Sequence, residues 1–169
     1  LADYREVKGQ YDRIFSVGMF EHVGKKFYKV FFESINKLLK EDGIFLLHTI
    51  GVVDKPTPPN KFINRHIFPG GACPSFSQII KPIEKTGLIV ADSETLIRHY
   101  DKTLESWLER FLAKKKEVKD LFDDRFVKMW EFYLASCAAA FRYRDLAVFQ
   151  LQIVKNFQTA RRTRDYIYL

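Results

Sequence analysis

Two short apolar runs, around Ile14–Val17 and Ile44–Leu47, flank an amphipathic stretch, and this arrangement leaves few folds open. Each run is too brief for a helix and suits a strand. Between them, Lys25 to Lys40 places Phe27, Phe31, Ile35 and Leu38 at helical spacing, with Tyr28, Phe32 and Leu39 widening the stripe. That pattern predicts a helix lying on a sheet. Asp42-Gly43 reads as the turn into the second strand, which ends at His48. Continuous apolar strands suit a parallel sheet covered on both faces, and strand-helix-strand is a βαβ unit with a right-handed crossover. The predicted fold class is α/β.

The next stretch, Gly51 to Pro74, holds five of the six prolines and reads as a long shaped loop, of the kind that often serves as a lid. Ser75 and Gln78 form a capping box for a short helix through Phe76, Ile79, Ile80 and Ile83, kinked or shortened by Pro82 and ended by Gly87. A third strand starts at Leu88 to Val90 and reaches Leu96. Asp101 is expected to cap a helix carrying Leu104, Trp107, Leu108, Phe111 and Leu112, which Lys114 to Lys116 lead into solvent. A longer helix begins at Asp123 or Asp124 and shows Phe126, Trp130, Tyr133, Cys137 and Phe141 on one face. Leu146 to Val154 is the last strand. Residues 1–155 thus form part of one domain, and residues 156–169, with Arg161, Arg162 and Arg164, read as an exposed basic tail.

With 169 residues, 47% of them hydrophobic, the chain suffices for one core. It opens on Leu1 and a polar stretch rather than a targeting signal, and so reads as a processed chain or a fragment. No run approaches the roughly 18 apolar residues of a membrane span, so membrane contact would be peripheral. Cys73 and Cys137 lie far apart without metal-ligand spacing, which favours free thiols in a reducing, cytoplasmic compartment. A net charge of +7 favours an anionic partner. No groove-reading or base-stacking motif accompanies the basic residues, so nucleic acid is the weaker choice. None of the eight glycines stands in a Gly-x-Gly arrangement. The chain therefore reads as the second half of a doubly wound domain, without its cofactor loop.

Gly18 lets the backbone turn where the first strand ends, and Glu21 and His22 follow in the loop. Glu21 and His48 each come just after a strand of one parallel sheet and can face the same crevice. A carboxylate and an imidazole there can hold an anion, relay a proton or act as general base. Equally, Glu21 can be a solvated loop residue and His48 a satisfied strand-end histidine. Tyr100, beside His99, can point a phenol over the sheet edge or simply pack. His66 and His99 have no partners at metal-ligand spacing, so no metal site is expected.

Five segments in order, SVGMFEHVG (16–24), FLLHTIG (45–51), IFPGG (67–71), HYDKTLESWLERF (99–111) and AAAFRYRD (138–145), strongly resemble the cyclopropane fatty acid synthases, which include the mycolic acid cyclopropane synthases. The resemblance spans roughly Tyr11 to Val154 and concerns the C-terminal portion of that family. It implies a class I S-adenosylmethionine methyltransferase fold of Rossmann type: a mostly parallel sheet with an antiparallel last strand and two inserted helices over the substrate side. It also implies methylene transfer to unsaturated acyl chains of membrane phospholipids, through a carbocation, at the inner face of the membrane. By motif, Glu21, His48 and Tyr100 match side chains that hold a catalytic bicarbonate, and Ile50 matches a backbone contact to it. Val17, Gly18, Met19, Phe20 and His22 match positions beside S-adenosylmethionine. The family's Gly-rich loop, ribose-binding acid and active-site cysteine have no counterpart here, neither Cys73 nor Cys137 matching, and VVDKPTPPN (52–60) departs from the pattern. The chain alone is accordingly expected to be inactive and to self-associate through its exposed first strand. A sister lipid C-methyltransferase making branched or oxygenated chains, and a non-catalytic lipid-binding module, are the alternatives.

Overall fold

A computed structural model describes residues 3–168 and shows a four-stranded sheet in the order β1-β2-β4-β3. Strand β1 (Tyr11–Val17) runs parallel to β2 (Leu39–Val52), while β4 (Leu146–Val154) is antiparallel to both β2 and β3 (Ile89–Ile97). The last strand in sequence is antiparallel, as the resemblance implies, and it lies between the second and third.

One face of the sheet is covered by α2 (Tyr28–Leu38) and α4 (Phe76–Glu84). Phe31, Phe32, Phe45, Leu47, Ile79 and Leu151 are buried there, each contributing roughly 1.5–3 kcal/mol. On the other face, Ile50, Leu96, Val148 and Leu146 pack against α5 (His99–Ala113) and α7 (Asp124–Tyr143). Helix α6 (Lys115–Leu121) lies between these two helices in sequence and buries no residue.

Several local expectations are corrected. Asp42-Gly43 does not turn the chain out of the sheet: the register jumps from Tyr11↔Leu39 to Arg13↔Ile44, so Lys40 to Gly43 form a bulge inside β2. A side chain at Gly43 would lie 2.7 Å from Leu39 Cδ1. Phe27 is 55% exposed, because Lys25–Phe27 form a 3-10 turn and Tyr28 takes the buried position. The proline-rich loop contains a short helix, α3 (Lys61–His66), whose N-terminus is capped by the Asn60 side chain. Pro82 sits inside α4, which ends two residues later; Ser75 and Gln78 form the expected capping box.

Asp101 is not a cap. Arg98 stands at the cap position with φ +65°, and Asp101 is buried inside the first turn of α5, bound to Arg142. Asp123 does cap α7, accepting from Phe126 N–H at 2.6 Å. That helix buries Val127, Leu134 and Ala138 beside the expected Tyr133 and Phe141, and leaves Phe126, Trp130 and Cys137 half-buried at the flank. The tail folds back on the sheet: Arg164 forks onto Asp92 at 2.7 and 3.0 Å, and the Tyr166 hydroxyl lies 2.7 Å from Gln152 Oε1.

Candidate active site

At their C-terminal ends the pairing of β1 with β2 is continued by a hydrogen bond from Gly18 N–H to the His48 carbonyl at 3.1 Å. Gly18 adopts φ +65°, the left-handed region that glycine enters without strain, and a side chain there would meet open space. The chain then enters α1 (Phe20–Val23), which carries Glu21 back over the end of β2.

Glu21 is buried. Its Oε1 accepts from Ile50 N–H at 2.7 Å, and its Oε2 is buried with no hydrogen-bond partner among the described residues. A buried polar atom left unpaired costs on the order of 1–3 kcal/mol, so this oxygen marks a place where a donor belongs. The Ser16 hydroxyl on β1 is likewise buried and unpartnered.

His48 is half-buried, with Nδ1 3.1 Å from the side-chain amide nitrogen of Gln150. An amide NH2 only donates, so Nδ1 accepts and the neutral ring keeps its proton on Nε2, available to an anion. Gln150 had no signal beyond being a polar residue interrupting an apolar strand.

The long loop closes over this floor. Val52 N–H donates to the Pro74 carbonyl at 3.0 Å, Val53 N–H to Asp145 at 2.8 Å, and Ala72 N–H to the Glu21 carbonyl at 2.9 Å. Gly51 permits the closure: a side chain there would lie 2.5 Å from the Pro74 carbonyl and 2.4 Å from the Phe149 ring. Cys73, which the loop brings toward Glu21, has its thiol pushed up to about 12, first by burial and then by the Glu21 charge. Burial likewise raises Cys137 to about 11, so both thiols stay protonated at neutral pH, and both are free.

Tyr100 belongs to the second cluster. Its ring stacks on Phe141 at 5.3 Å and meets Trp107 edge-on at 6.1 Å, and its hydroxyl makes no hydrogen bond among the described residues. Tyr133 lies close by: burial, then Cys137 and Tyr100, push its phenol up to about 12. Aromatic contacts then run from Tyr133 to Phe68 at 6.2 Å and from Phe68 to His22 at 5.6 Å. The structure thus gathers Glu21, Ile50 and His48 at the strand ends and sets Tyr100 across the aromatic cluster, without direct contact between them.

The residues fit the implied groups unevenly. Val17, Gly18, Met19 and His22 are exposed at the end of β1 and can face a cofactor. The Phe20 side chain is turned inward instead: it has no exposed surface, and its ring stacks on Tyr28 at 4.2 Å in the core. Bicarbonate carries both a donor and acceptors, which suits the orphan Glu21 oxygen and His48 Nε2–H. Ile50 N–H is already taken by Glu21.

Comparison with known proteins decides the family. The family model described as mycolic acid cyclopropane synthetase matches residues 1–151. The chain belongs to this family. It is 45% identical over 151 residues to the cyclopropane-fatty-acyl-phospholipid synthase of Escherichia coli K12, covering 89% of this chain and 39% of that protein. It is 36% identical to the tuberculostearic acid methyltransferase UfaA1 of Mycobacterium tuberculosis, covering 92% and 38%. Among solved structures, the cyclopropane synthase MmaA2 of M. tuberculosis superposes with TM-score 0.83 at 31% identity, covering 90% of this chain and 58% of that one. Mycolic acid cyclopropane synthase CmaA1, solved with SAH and CTAB, gives TM-score 0.82 at 32% identity, with the same coverage. These likenesses establish the α/β methyltransferase fold and a methyltransferase family. The chain spans 39% of the length of its E. coli relative, so the cyclopropane synthase family is recognised here through a part of its length.

Proposed function

We propose that the chain forms the base-holding part of an S-adenosylmethionine-dependent methyltransferase that converts unsaturated phospholipid acyl chains to cyclopropanes. The observation that carries this reading is the Glu21 carboxylate, with one oxygen fixed by Ile50 N–H and the other buried and unpaired beside the end of β2. S-adenosylmethionine supplies an electrophilic methyl group, and a bicarbonate held between Glu21 and His48 would supply a base. Glu21 would accept from that anion's O–H and His48 would donate from Nε2, with the Tyr100 hydroxyl, matched by motif, as a third polar group toward it. The buried rings of Tyr133 and Phe141, with half-buried Tyr100 beside them, would exclude water and stabilise a cationic intermediate through their faces.

No helix among the described residues is long and apolar enough to cross a membrane; in this reading the phospholipid substrate would be met at a bilayer surface, on its cytoplasmic side. The relative named tuberculostearic acid methyltransferase favours a second reading, in which the same site yields a methyl-branched chain. Mass spectrometry of lipids from cells expressing the full-length protein separates the two, because ring and saturated branch differ by two hydrogens. Unaltered lipids overturn both and leave a lipid-binding module. The chain alone, without a Gly-x-Gly turn, should bind S-adenosylmethionine weakly. Micromolar affinity by calorimetric titration would overturn that expectation.

A further inference from the structure

Helix α6 is an element without a core function. Its residues bury nothing, and the turn that links it to α7 presents Leu121 at 77% and Phe122 at 62% exposure. From this turn a row of aromatic rings runs inward along α7 at spacings of four, four and three residues. Phe122 stacks on Phe126 at 4.2 Å, Phe126 on Trp130 at 5.8 Å, and Trp130 meets Tyr133 at 5.1 Å. Exposure falls along the row from Phe122 to Tyr133, which is 8% exposed beside Tyr100. An apolar path therefore joins an exposed tip to the candidate site.

The charges around the tip sort by sign. Lys114, Lys115 and Lys119 are paired with Glu117, Glu131 and Asp124, and Asp123 is engaged as the α7 cap. Lys116, Arg125 and Lys128 are left without an ion-pair partner among the described residues, against Asp120 and the capping Asp123 among the acids of the turn, an excess of one positive charge. An exposed apolar tip flanked by cations in excess over acids suits a deformable anionic surface better than a shaped protein groove.

We infer that the α6–α7 turn docks on an anionic phospholipid bilayer, with Leu121 and Phe122 entering the headgroup–acyl boundary and Lys116, Arg125 and Lys128 facing lipid phosphates. The aromatic row then leads an acyl chain from the bilayer toward Tyr133. The inference rests on the lipid-methyltransferase reading for the identity of the partner, but vesicle binding tests it without any methyl transfer.

Flotation with vesicles of phosphatidylcholine, alone or mixed with phosphatidylglycerol, is the test. The protein should float with the mixed vesicles, and Leu121→Ser/Phe122→Ser should weaken binding at least tenfold while the circular dichroism stays unchanged. Each charge reversal among Lys116→Glu, Arg125→Glu and Lys128→Glu should cost about fivefold or more, and only on anionic vesicles. Phe157→Ser, an equally exposed aromatic on the tail, should change nothing. In a Trp107→Phe background, brominated lipids should quench Trp130. Absence of binding by the unaltered protein, or a tip variant that binds as tightly as it, overturns the inference. Binding through the tip without methyl incorporation by the full-length protein keeps the docking surface and refutes the enzymatic reading.

Discussion

Arg142 on α7 holds Asp101 on α5 through three N–H···O contacts of 2.7 to 3.0 Å. The pair sits one residue from Tyr100 and one from Phe141, the two rings that stack between the helices. It therefore fixes the first turn of α5, where Arg98 is held in left-handed backbone. Asp101→Asn should lower the Tm by several degrees and loosen the near-ultraviolet dichroism of the aromatic cluster. Arg142→Lys, which keeps the charge but loses the planar fork, should recover only part of what Arg142→Ala loses.

The same pair sets an acid limit. Hydrogen bonds from Arg142 hold the Asp101 carboxyl below its ordinary 3.8, against the opposing effect of burial. A depressed folded value means the stabilisation is complete above the ordinary value and is lost as the pH falls through the folded one. Acid unfolding followed by fluorescence should begin at higher pH in Arg142→Ala, and in Asp101→Asn the pair's contribution to the acid dependence should vanish.

Glu21→Gln keeps an acceptor for Ile50 N–H and places an amide where the orphan oxygen lies. Thermal stability should hold, while methyl transfer by the full-length protein should fall about a hundredfold or more, since an amide NH2 at that place only donates and cannot accept the O–H of the anion that serves as base. A parallel loss of stability and turnover would make Glu21 structural.

Both thiols should react slowly with a disulfide reagent at pH 8 until the protein unfolds, because burial raises Cys73 to about 12 and Cys137 to about 11. The sign at alkaline pH follows: unfolded thiols ionise near 9.0 while folded ones do not, so stability should decline above that pH. Serine at either position should flatten the decline.

Among the described residues strand β1 pairs on one side only, and Phe15 and Val17 on it are 76% and 60% exposed, next to Leu46. We propose that this edge associates with a second copy. Sedimentation should show concentration-dependent association that Phe15→Lys/Val17→Lys removes; a clean monomer at high concentration refutes it.

What the sequence made legible was local. The β1 and β2 runs, the Ser75–Gln78 box, the Asp123 cap and the β4 strand each carry their signal within a few residues. Asp42-Gly43 looks like a turn in isolation, but pairing with β1 holds both residues inside a strand. Asp101 looks like a cap because its partner, Arg142, comes 41 residues later. The tail looks solvated for the same reason, since Asp92 and Gln152 are remote in sequence. Within the site, Glu21 and His48 were readable as residues at parallel strand ends. That Glu21 occupies Ile50 N–H, that Phe20 turns inward and that Gln150 fixes the His48 tautomer depend on packing that no spacing encodes.

The loop over the site is fastened at its base, where Val52 meets Pro74 across side-chain-free Gly51. Since both ends are tied to the sheet, and Phe68 and Ala72 bind the site itself, the exchangeable part is residues 54–59 ahead of the Asn60 cap: changing their number costs little closure entropy and leaves Glu21 and His48 in register. Under the proposed function, the floor would carry the chemistry and the roof the shape of the molecule accepted.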